Sequence, residues 1–428
     1  MRVKLHALGC RLNEAELERW ASEFRRRGAR ISAGAEPADL VVINTCAVTG
    51  EAVRKSRKLL RRAQRDNPRA RLVVSGCAAS LDDVDLGDAG IDLLVPNTSK
   101  DRLVDIAADA LALPLMPASA TDPAADALFT RGRQRAFIKI QDGCRYQCTF
   151  CITTRARGAE RSRPIAEICD EIDRLSQAGV QEVVLTGVHA GGYGSDLGET
   201  LTGLLATVLR RTAVPRIRLG SLEPWDLPEA FWRLFEDPRL LPHLHLPVQS
   251  GADSVLRRMA RRCRRDELLR LVDRARAAAP DVNITTDVIV GFPGETDAEW
   301  HQTLDLVEQA RFGHLHIFAY SPRTGTRAAS MPEQVPDPVK RARSRELHAL
   351  GLRLKRDLLS RQLGRTVPVL VEGINDDTEG AFGAAFTPNY LAVRLRSPAP
   401  ALINRIVPAR LVAVSADGEA LSAVVDGS

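Results

Sequence analysis

The chain reads as an α/β protein in three parts: an N-terminal parallel α/β unit, a partial (β/α)6 barrel and a small C-terminal β-barrel. Three observations predict this. Short Val-, Ile- and Leu-rich runs alternate with helical patterns through residues 2–320, as in parallel sheets covered by helices. A Pro-, Ala- and Ser-rich stretch after Leu113 interrupts that series. Beyond Gly364 the sequence alternates apolar and polar residues, which suits a small barrel.

In the first part, residues 2–8, 40–44, 71–75 and 91–95 are predicted strands. Helical patterns lie near 13–27, 48–65 and 100–111, so residues 1–112 form one unit. Residues 113–133 have little periodicity and read as a linker. Six further strands are expected near 136–141, 182–188, 215–220, 243–246, 282–290 and 313–320. Helices near 165–178, 199–211, 253–261, 266–278 and 297–310 intervene. Six β/α units suggest a partial barrel, not a closed eightfold one, over 134–363. A long helix near 338–362 follows Pro336 and Pro338. Val367–Glu372 and Tyr390–Leu395 then alternate, placing the β-rich unit at 364–428.

With 44% apolar residues, the chain of 428 can build sizeable cores. No run approaches about 18 consecutive apolar residues, so no membrane span is expected. Met1–Cys10 lacks the features of a secretory signal, which predicts a cytoplasmic protein with reduced thiols. Eight cysteines then argue for metal ligation over disulfides. The net charge of +6 hints at a polyanionic partner, although 53 of the 60 basic residues are Arg, a skew that GC-rich coding alone could produce. Two clusters stand out, Arg54–Arg65 and Arg257–Arg265; charge runs of this kind are usually solvated faces.

Cys144, Cys148 and Cys151 form C-x3-C-x2-C just after the first barrel strand, where parallel-barrel chemistry collects. A [4Fe–4S] cube is ordinarily closed by four cysteines. Three local thiolates leave one iron able to bind a small molecule. A zinc site would want a fourth Cys or His nearby, and residues 140–165 contain neither. This signature resembles that of the radical S-adenosylmethionine (SAM) superfamily, in which the free iron chelates SAM and cleaves it reductively.

Cys10, Cys46 and Cys77 each follow a predicted strand of the first unit. The C-terminal ends of parallel strands open on one crevice, so the three can converge across long sequence gaps and hold a second cluster. Gly9 and Gly76 would let the backbone turn beside it. Three packing cysteines are the plainer alternative. Cys169 and Cys263 read as ordinary packing or surface residues. In the barrel, Thr186 and Gly187, Ser221 and Glu223, Gln249 and Ser250, and Gly291 and Gly294 follow successive strands. They outline a ligand site, with Glu223 and Gln249 able to accept hydrogen bonds from ribose hydroxyls or the SAM amine. His243, His245, His314 and His316 are read as hydrogen-bonded structural residues, not metal ligands.

Together these residues resemble the methylthiotransferase family of radical-SAM enzymes, across essentially the whole chain. Asn44–Thr49, Lys55–Arg57, Gly187–His189, Ser221–Asp226, Pro242–Gly251 and Ser321–Ala329 resemble its threonylcarbamoyladenosine tRNA branch (MtaB-type). Phe386–Tyr390 matches the pattern of its C-terminal TRAM barrel, a module associated with RNA binding. The resemblance implies two [4Fe–4S] clusters, the radical one on Cys144, Cys148 and Cys151 and an auxiliary one on Cys10, Cys46 and Cys77. It implies that Phe150 shields the first cluster by packing. It implies a 5′-deoxyadenosyl radical that takes hydrogen from C2 of a modified adenine beside the tRNA anticodon, sulfur from the auxiliary cluster and methyl from a second SAM. An external flavodoxin- or ferredoxin-like reductant is expected, and a monomer. One run departs from the family: Ile152-Thr153-Thr154-Arg155 stands where Ile-Ile-Pro-Tyr is frequent, beside the site. Isopentenyladenosine in tRNA and an aspartate of a small-subunit ribosomal protein remain open as substrates. A redox-sensing RNA-binding iron–sulfur protein is the non-enzymatic alternative.

Overall fold

The computed structural model describes residues 1–117 except 33, 35, 88 and 89, and residues 134–425 except 226, 378, 379, 397 and 398. Most of the expected linker (118–133) and Asp226 lie outside the described residues. Its start does not behave as a free linker. Leu113 and Leu115 pack on the first unit's core, and the Met116 carbonyl accepts the Arg27 guanidinium at 2.8 Å.

The first sheet contains β1 (Arg2–Ala7), β2 (Arg30–Ile31), β3 (Leu40–Thr45), β4 (Arg71–Gly76) and β5 (Leu93–Val95). They are parallel, in the order β2-β1-β3-β4-β5. Alternation along the central β3 splits the core in two. Leu40 and Val42 face α1 (Arg11–Arg26), which buries Leu17, Trp20 and Phe24, and pack near α3 (Leu103–Ala110). Val41 and Ile43 face α2 (Gly50–Asp66), which buries Val53, Leu60 and Ala63.

The second unit begins with β6 (Arg135–Lys139), the short pair β7 (Gln141–Asp142) and β8 (Arg161–Ser162), and between them α4 (Thr153–Arg157). There follow α5 (Ile165–Gln177), β9 (Glu182–Thr186), α6 (Leu201–Arg211), β10 (Arg216–Leu219), α7 (Glu229–Trp232), β11 (His243–His245), α8 (Asp253–Arg258), α9 (Arg265–Ala278), β12 (Asn283–Val290), α10 (Asp297–Ala310) and β13 (His314–Ala319). Two three-stranded parallel sheets, β10-β9-β6 and β11-β12-β13, are joined by the isolated bridges Ile217–Leu240 and Ser221–His245. The six expected strands thus form one curved wall, β6-β9-β10-β11-β12-β13. Among the described residues no ladder joins β13 to β6. Instead α1 packs on the free side of β6, with Ala15 against Phe137 and Val184.

The long α11 (Asp337–Ser360) packs on β13 and leads into β14 (Thr366–Asp377), β15 (Gly380–Phe386), β16 (Ala392–Leu395), β17 (Ile406–Val414) and β18 (Leu421–Val425). These close a barrel in the order β14-β15-β16-β18-β17, with bulges in β14 and β17 that help it curl. Its Thr387–Tyr390 turn reaches the strands of the second unit and α1 of the first. Arg218 donates to the Pro388 carbonyl (3.0 Å), Asn283 to that of Asn389 (2.9 Å), and Arg11 to the Tyr390 hydroxyl (2.8 Å). The small barrel therefore caps the end of the strands opposite the cysteines.

Candidate functional site

Cys10 follows β1 as the N-cap of α1, Cys46 follows β3 and Cys77 follows β4. Those three strands are adjacent, so the three thiols meet at one edge of the sheet. The backbone is tight there: a Cβ on Gly9 (φ +103°) would lie 2.7 Å from Cys46 Sγ, and one on Gly76 (φ +96°) 2.3 Å from the Thr45 carbonyl oxygen. Cys46 and Cys77 are buried, whereas Cys10 is exposed.

The second set lies on the loop between β7 and α4. Gly143 (φ +75°) lets that loop cross the Gly158–Ala159 turn, and Cys144 N–H donates to the Gly158 carbonyl at 3.1 Å. Thr149 ties the loop down, donating its N–H to Met259 O (3.0 Å) and its hydroxyl to Arg258 O (2.9 Å). Backbone N–H groups of Tyr146 and Thr153 approach Cys144 Sγ and Cys151 Sγ at 3.4 Å each, and the Arg261 guanidinium approaches Cys148 Sγ at 4.0 Å. Donors aimed at sulfur stabilise cluster thiolates. All eight cysteines are free. Both triads therefore fit three-thiolate ligation of an iron–sulfur cube. Burial pushes the Cys144 thiol up to about 12 and the Cys46 thiol up to about 11, so a metal must displace protons to bind.

The two triads share a core. Ile152 and Ala156, directly after Cys151, pack in the same apolar cluster as Cys77, Ala78 and Ala79.

The other expected site residues divide. Phe150 packs on Ala252, Met259, Phe292 and Tyr320, between the cysteine loop and β12. Glu223 stands beside His189 (Nε2–Oε2 3.6 Å), whose Nδ1 meets Glu160 at 2.5 Å. Thr186 ends β9, and Gly187 sits against Gln141, whose side-chain oxygen accepts the His189 N–H at 2.9 Å. Ser221 makes the bridge to His245. Gln249 adopts φ +74°, a left-handed conformation uncommon outside glycine and typical of sites held by their surroundings. Ser250 is fully buried and its hydroxyl is committed to the Ala252 N–H (3.2 Å) and Thr303. Gly291 and Gly294 shape a turn on α11: Gly291 N–H donates to Glu295 (2.8 Å), which pairs with Arg343 (2.8 Å). Ser250, Gly291 and Gly294 thus do structural work first.

Sequence reasoning missed several residues. Tyr146 packs edge-on against His189 and Trp225, and its hydroxyl accepts from Trp225 Nε1 (3.1 Å) and Arg262 (3.0 Å). Arg157, Asn13, Glu16, Asn97 and Lys100 form a buried polar network between the triads. The departing run is structural: Thr154 donates to Tyr146 O (2.9 Å), and Arg155 reaches Thr324 O (2.9 Å) and Asp83 (3.3 Å).

His243 and His245 are hydrogen-bonded, whereas His314 and His316 pack edge-on with ring centroids 4.7 Å apart. His245 contacts Thr285 (2.9 Å) and Asp287 (3.2 Å), and His243 Nε2 contacts Thr285 (3.3 Å) while its Nδ1 is buried without a partner. The ligand atoms of His245, Asp287 and His316 come within 4.8 Å of one another on the inner wall. Both basic groups do some internal work. In the first, Lys55 pairs with Glu51, Arg57 with Asp85, and Arg62 and Arg65 with Asp66, while Arg54, Lys58, Arg61 and Arg65 line the exposed face of α2. In the second, Arg258 pairs with Glu299 and Arg265 with Asp305, while Arg261 binds Pro247 O.

Comparison with known proteins adds the following. Residues 138–307 match the radical SAM superfamily, and residues 2–95 match the uncharacterized protein family UPF0004. The chain is 34% identical to a threonylcarbamoyladenosine tRNA methylthiotransferase (MtaB) of Bacillus subtilis, over 96% of this chain and 93% of that one. It is 38% identical to a tRNA-2-methylthio-N(6)-dimethylallyladenosine synthase of Anaeromyxobacter dehalogenans, over 98% and 93%. Among solved structures, the radical SAM methyltransferase TsrM from Kitasatospora setae superposes with a TM-score of 0.58 at 14% identity, covering 77% of each chain. That likeness shows the shared fold.

Proposed function

Because this chain belongs to the radical-SAM tRNA methylthiotransferase family, we propose that it methylthiolates C2 of N6-threonylcarbamoyladenosine at position 37, beside the tRNA anticodon. The cofactors are two [4Fe–4S] clusters and SAM. Our assignment puts the radical cluster on Cys144, Cys148 and Cys151 and the auxiliary cluster on Cys10, Cys46 and Cys77. The observation that carries it is the pair of three-thiol cradles built on one shared core, each one ligand short of a closed cube.

When bound, these groups supply one-electron cleavage of SAM, hydrogen abstraction, and transfer of sulfur and methyl. The protein's part is to hold and to orient. The N–H groups of Tyr146 and Thr153 and the Arg261 guanidinium stabilise thiolates on the radical side. Phe150 keeps water from that side by packing. Glu223, 3.6 Å from His189, and Gln249, fixed in its left-handed turn, present acceptors to SAM. The polar inner wall of His245, Asp287 and His316 suits the polar threonylcarbamoyl arm better than an apolar isoprenoid. The exposed basic face of α2 and the C-terminal barrel take tRNA phosphates.

The division at residues 112, 133 and 363 belongs to the same proposal, as do a small flavodoxin- or ferredoxin-like reductant, a monomeric state and a cytoplasmic location. No described helix is long and apolar enough to cross a membrane. Kinship to dimethylallyladenosine synthases keeps the isopentenyl substrate as the second reading. Mass spectrometry of tRNA nucleosides from a deletion strain separates them. Loss of methylthio from the threonylcarbamoyl nucleoside is expected; loss from the isopentenyl nucleoside alone refutes the assignment.

A further inference from the structure

Arg157 is 2% exposed and carries a full charge in the seam between the two units. Its guanidinium donates to Glu16 (3.0 Å) and Asp142 (2.9 Å), and to Asn13 Oδ1 (2.7 Å). Lys100, 0% exposed, meets the same two carboxylates, at 2.5 Å to Glu16 and 3.2 Å to Asp142. Lys139 joins Asp142 at 3.5 Å and Glu16 at 3.8 Å. Three buried cations thus face two buried carboxylates. At the solvent edge Asp101 pairs with Lys139 (2.8 Å) and Arg19 (3.3 Å), and Arg161 approaches Asp142 (3.9 Å); Asp101, Arg19 and Arg161 are about half exposed. Five cations against three carboxylates leave the network an excess of positive charge, which is expensive unless a negative group stands nearby.

Two asparagine arms run from this cluster to the auxiliary cysteines. Asn13 donates to the carbonyls of Leu8 (2.6 Å) and Thr45 (3.1 Å), the segments that deliver Cys10 and Cys46. Asn97 accepts from Lys100 (3.0 Å) and directs its amide to Ala156 O (2.7 Å) and Cys77 Sγ (3.8 Å). Asn44, two residues before Cys46, donates to Glu16 at 2.9 Å. A [4Fe–4S] cluster held by three thiolates is anionic, and its potential follows nearby charge and hydrogen bonds to sulfur.

We propose that Arg157 is a positioning residue of the auxiliary site, whose buried positive charge offsets the three-thiolate cluster and raises its reduction potential, while Asn13 and Asn97 hold the cysteine loops. Because Arg157 sits six residues after Cys151, the same side chain fixes the spacing of the two cradles. This inference rests on the assignment of Cys10, Cys46 and Cys77 as ligands.

The test isolates the auxiliary cluster in a full-length Cys144→Ala, Cys148→Ala, Cys151→Ala protein, reconstituted without oxygen. Iron is counted and the midpoint potential read by electron paramagnetic resonance during a redox titration. Arg157→Gln removes the charge and should lower the potential by at least about 59 mV, a tenfold shift in the reduction equilibrium. Glu16→Gln should move it the opposite way, and Arg157→Lys should leave it near the parent value. Opposite signs are what a merely structural role would not give. Potentials unmoved in both, or moved in the same direction, overturn the proposal. If Arg157→Gln keeps no iron, Glu16→Gln decides: a rise supports the proposal, and no change or a fall overturns it. A parent protein without iron defeats the ligand assignment itself, which is a separate outcome.

Discussion

At Gly143 one methyl group decides whether the radical-site loop can close. A Cβ there would lie 1.9 Å from the Ala159 carbonyl oxygen, on a backbone at φ +75°. Neither partner is a flexible side-chain end, so relief requires moving the cysteine loop. Gly143→Ala should therefore abolish the first cluster while sparing the second, leaving about four irons per chain by colorimetric analysis. Gln249 is the converse case, a side chain kept on a glycine-like backbone at a cost of about 1 kcal/mol. Gln249→Gly should leave the melting temperature level or higher and weaken SAM binding measured by equilibrium dialysis. Unchanged SAM affinity would contradict its assigned contact. At this scale the sequence is legible where the cysteines the fold brings together are close in the chain, as in Cys144–Cys151, or repeat a position, as Cys10, Cys46 and Cys77 do at strand ends. Arg157 was not legible. Its partners Asn13 and Glu16 lie more than 140 residues away, and Ala156-Arg157-Gly158 reads locally as a turn.

Helices and strands set where those residues stand. α10 opens with a full capping box: Thr296 accepts the Glu299 N–H (3.2 Å), and Glu299 accepts the Thr296 N–H (2.9 Å). Thr296→Ala should cost about 1 kcal/mol, read as a lower urea midpoint at constant slope. On α2 the apolar stripe Val53-Leu60-Ala63 faces the sheet, so the basic face is left to solvent. Neutralising Arg54, Lys58, Arg61 and Arg65 together should weaken tRNA binding and flatten its log–log salt dependence by about 0.7–0.9 per lost phosphate contact. An unchanged slope would place the tRNA elsewhere. The long apolar or amphipathic elements were legible from periodicity, with ends displaced by a few residues. β2, β7, β8 and α4 were not, because pieces of two to five residues have no period to read. The helix expected over 253–261 ends at Arg258, with Ala260 at φ +57°. The Arg257–Arg265 run reads from sequence as a solvated face, but Glu299 and Asp305 of α10 claim two of its charges, and only the folded wall brings them together.

For the whole molecule, the small barrel is part of the enzyme's framework. Tyr390 lies under three guanidinium groups, at 4.5 Å from Arg218, 5.0 Å from Arg135 and 5.8 Å from Arg11. Those arginines come from all the neighbouring layers: α1, β6 and β10. Truncation after residue 363 would strand them with Asn283, so the shortened protein should aggregate or lose several degrees of melting temperature, not simply lose RNA affinity. The order of the three units was legible from the change of periodicity. How they dock was not, since docking depends on polar contacts between residues far apart in sequence. The central claim is that the fold offers two cubes, each with an iron the protein leaves open. It is tested most directly by iron analysis and Mössbauer spectroscopy of oxygen-free protein with and without Cys10→Ala, Cys46→Ala and Cys77→Ala. The account predicts about eight irons falling to about four, with reductive SAM cleavage retained by the variant. Unchanged iron, or zinc in place of it, would contradict the account.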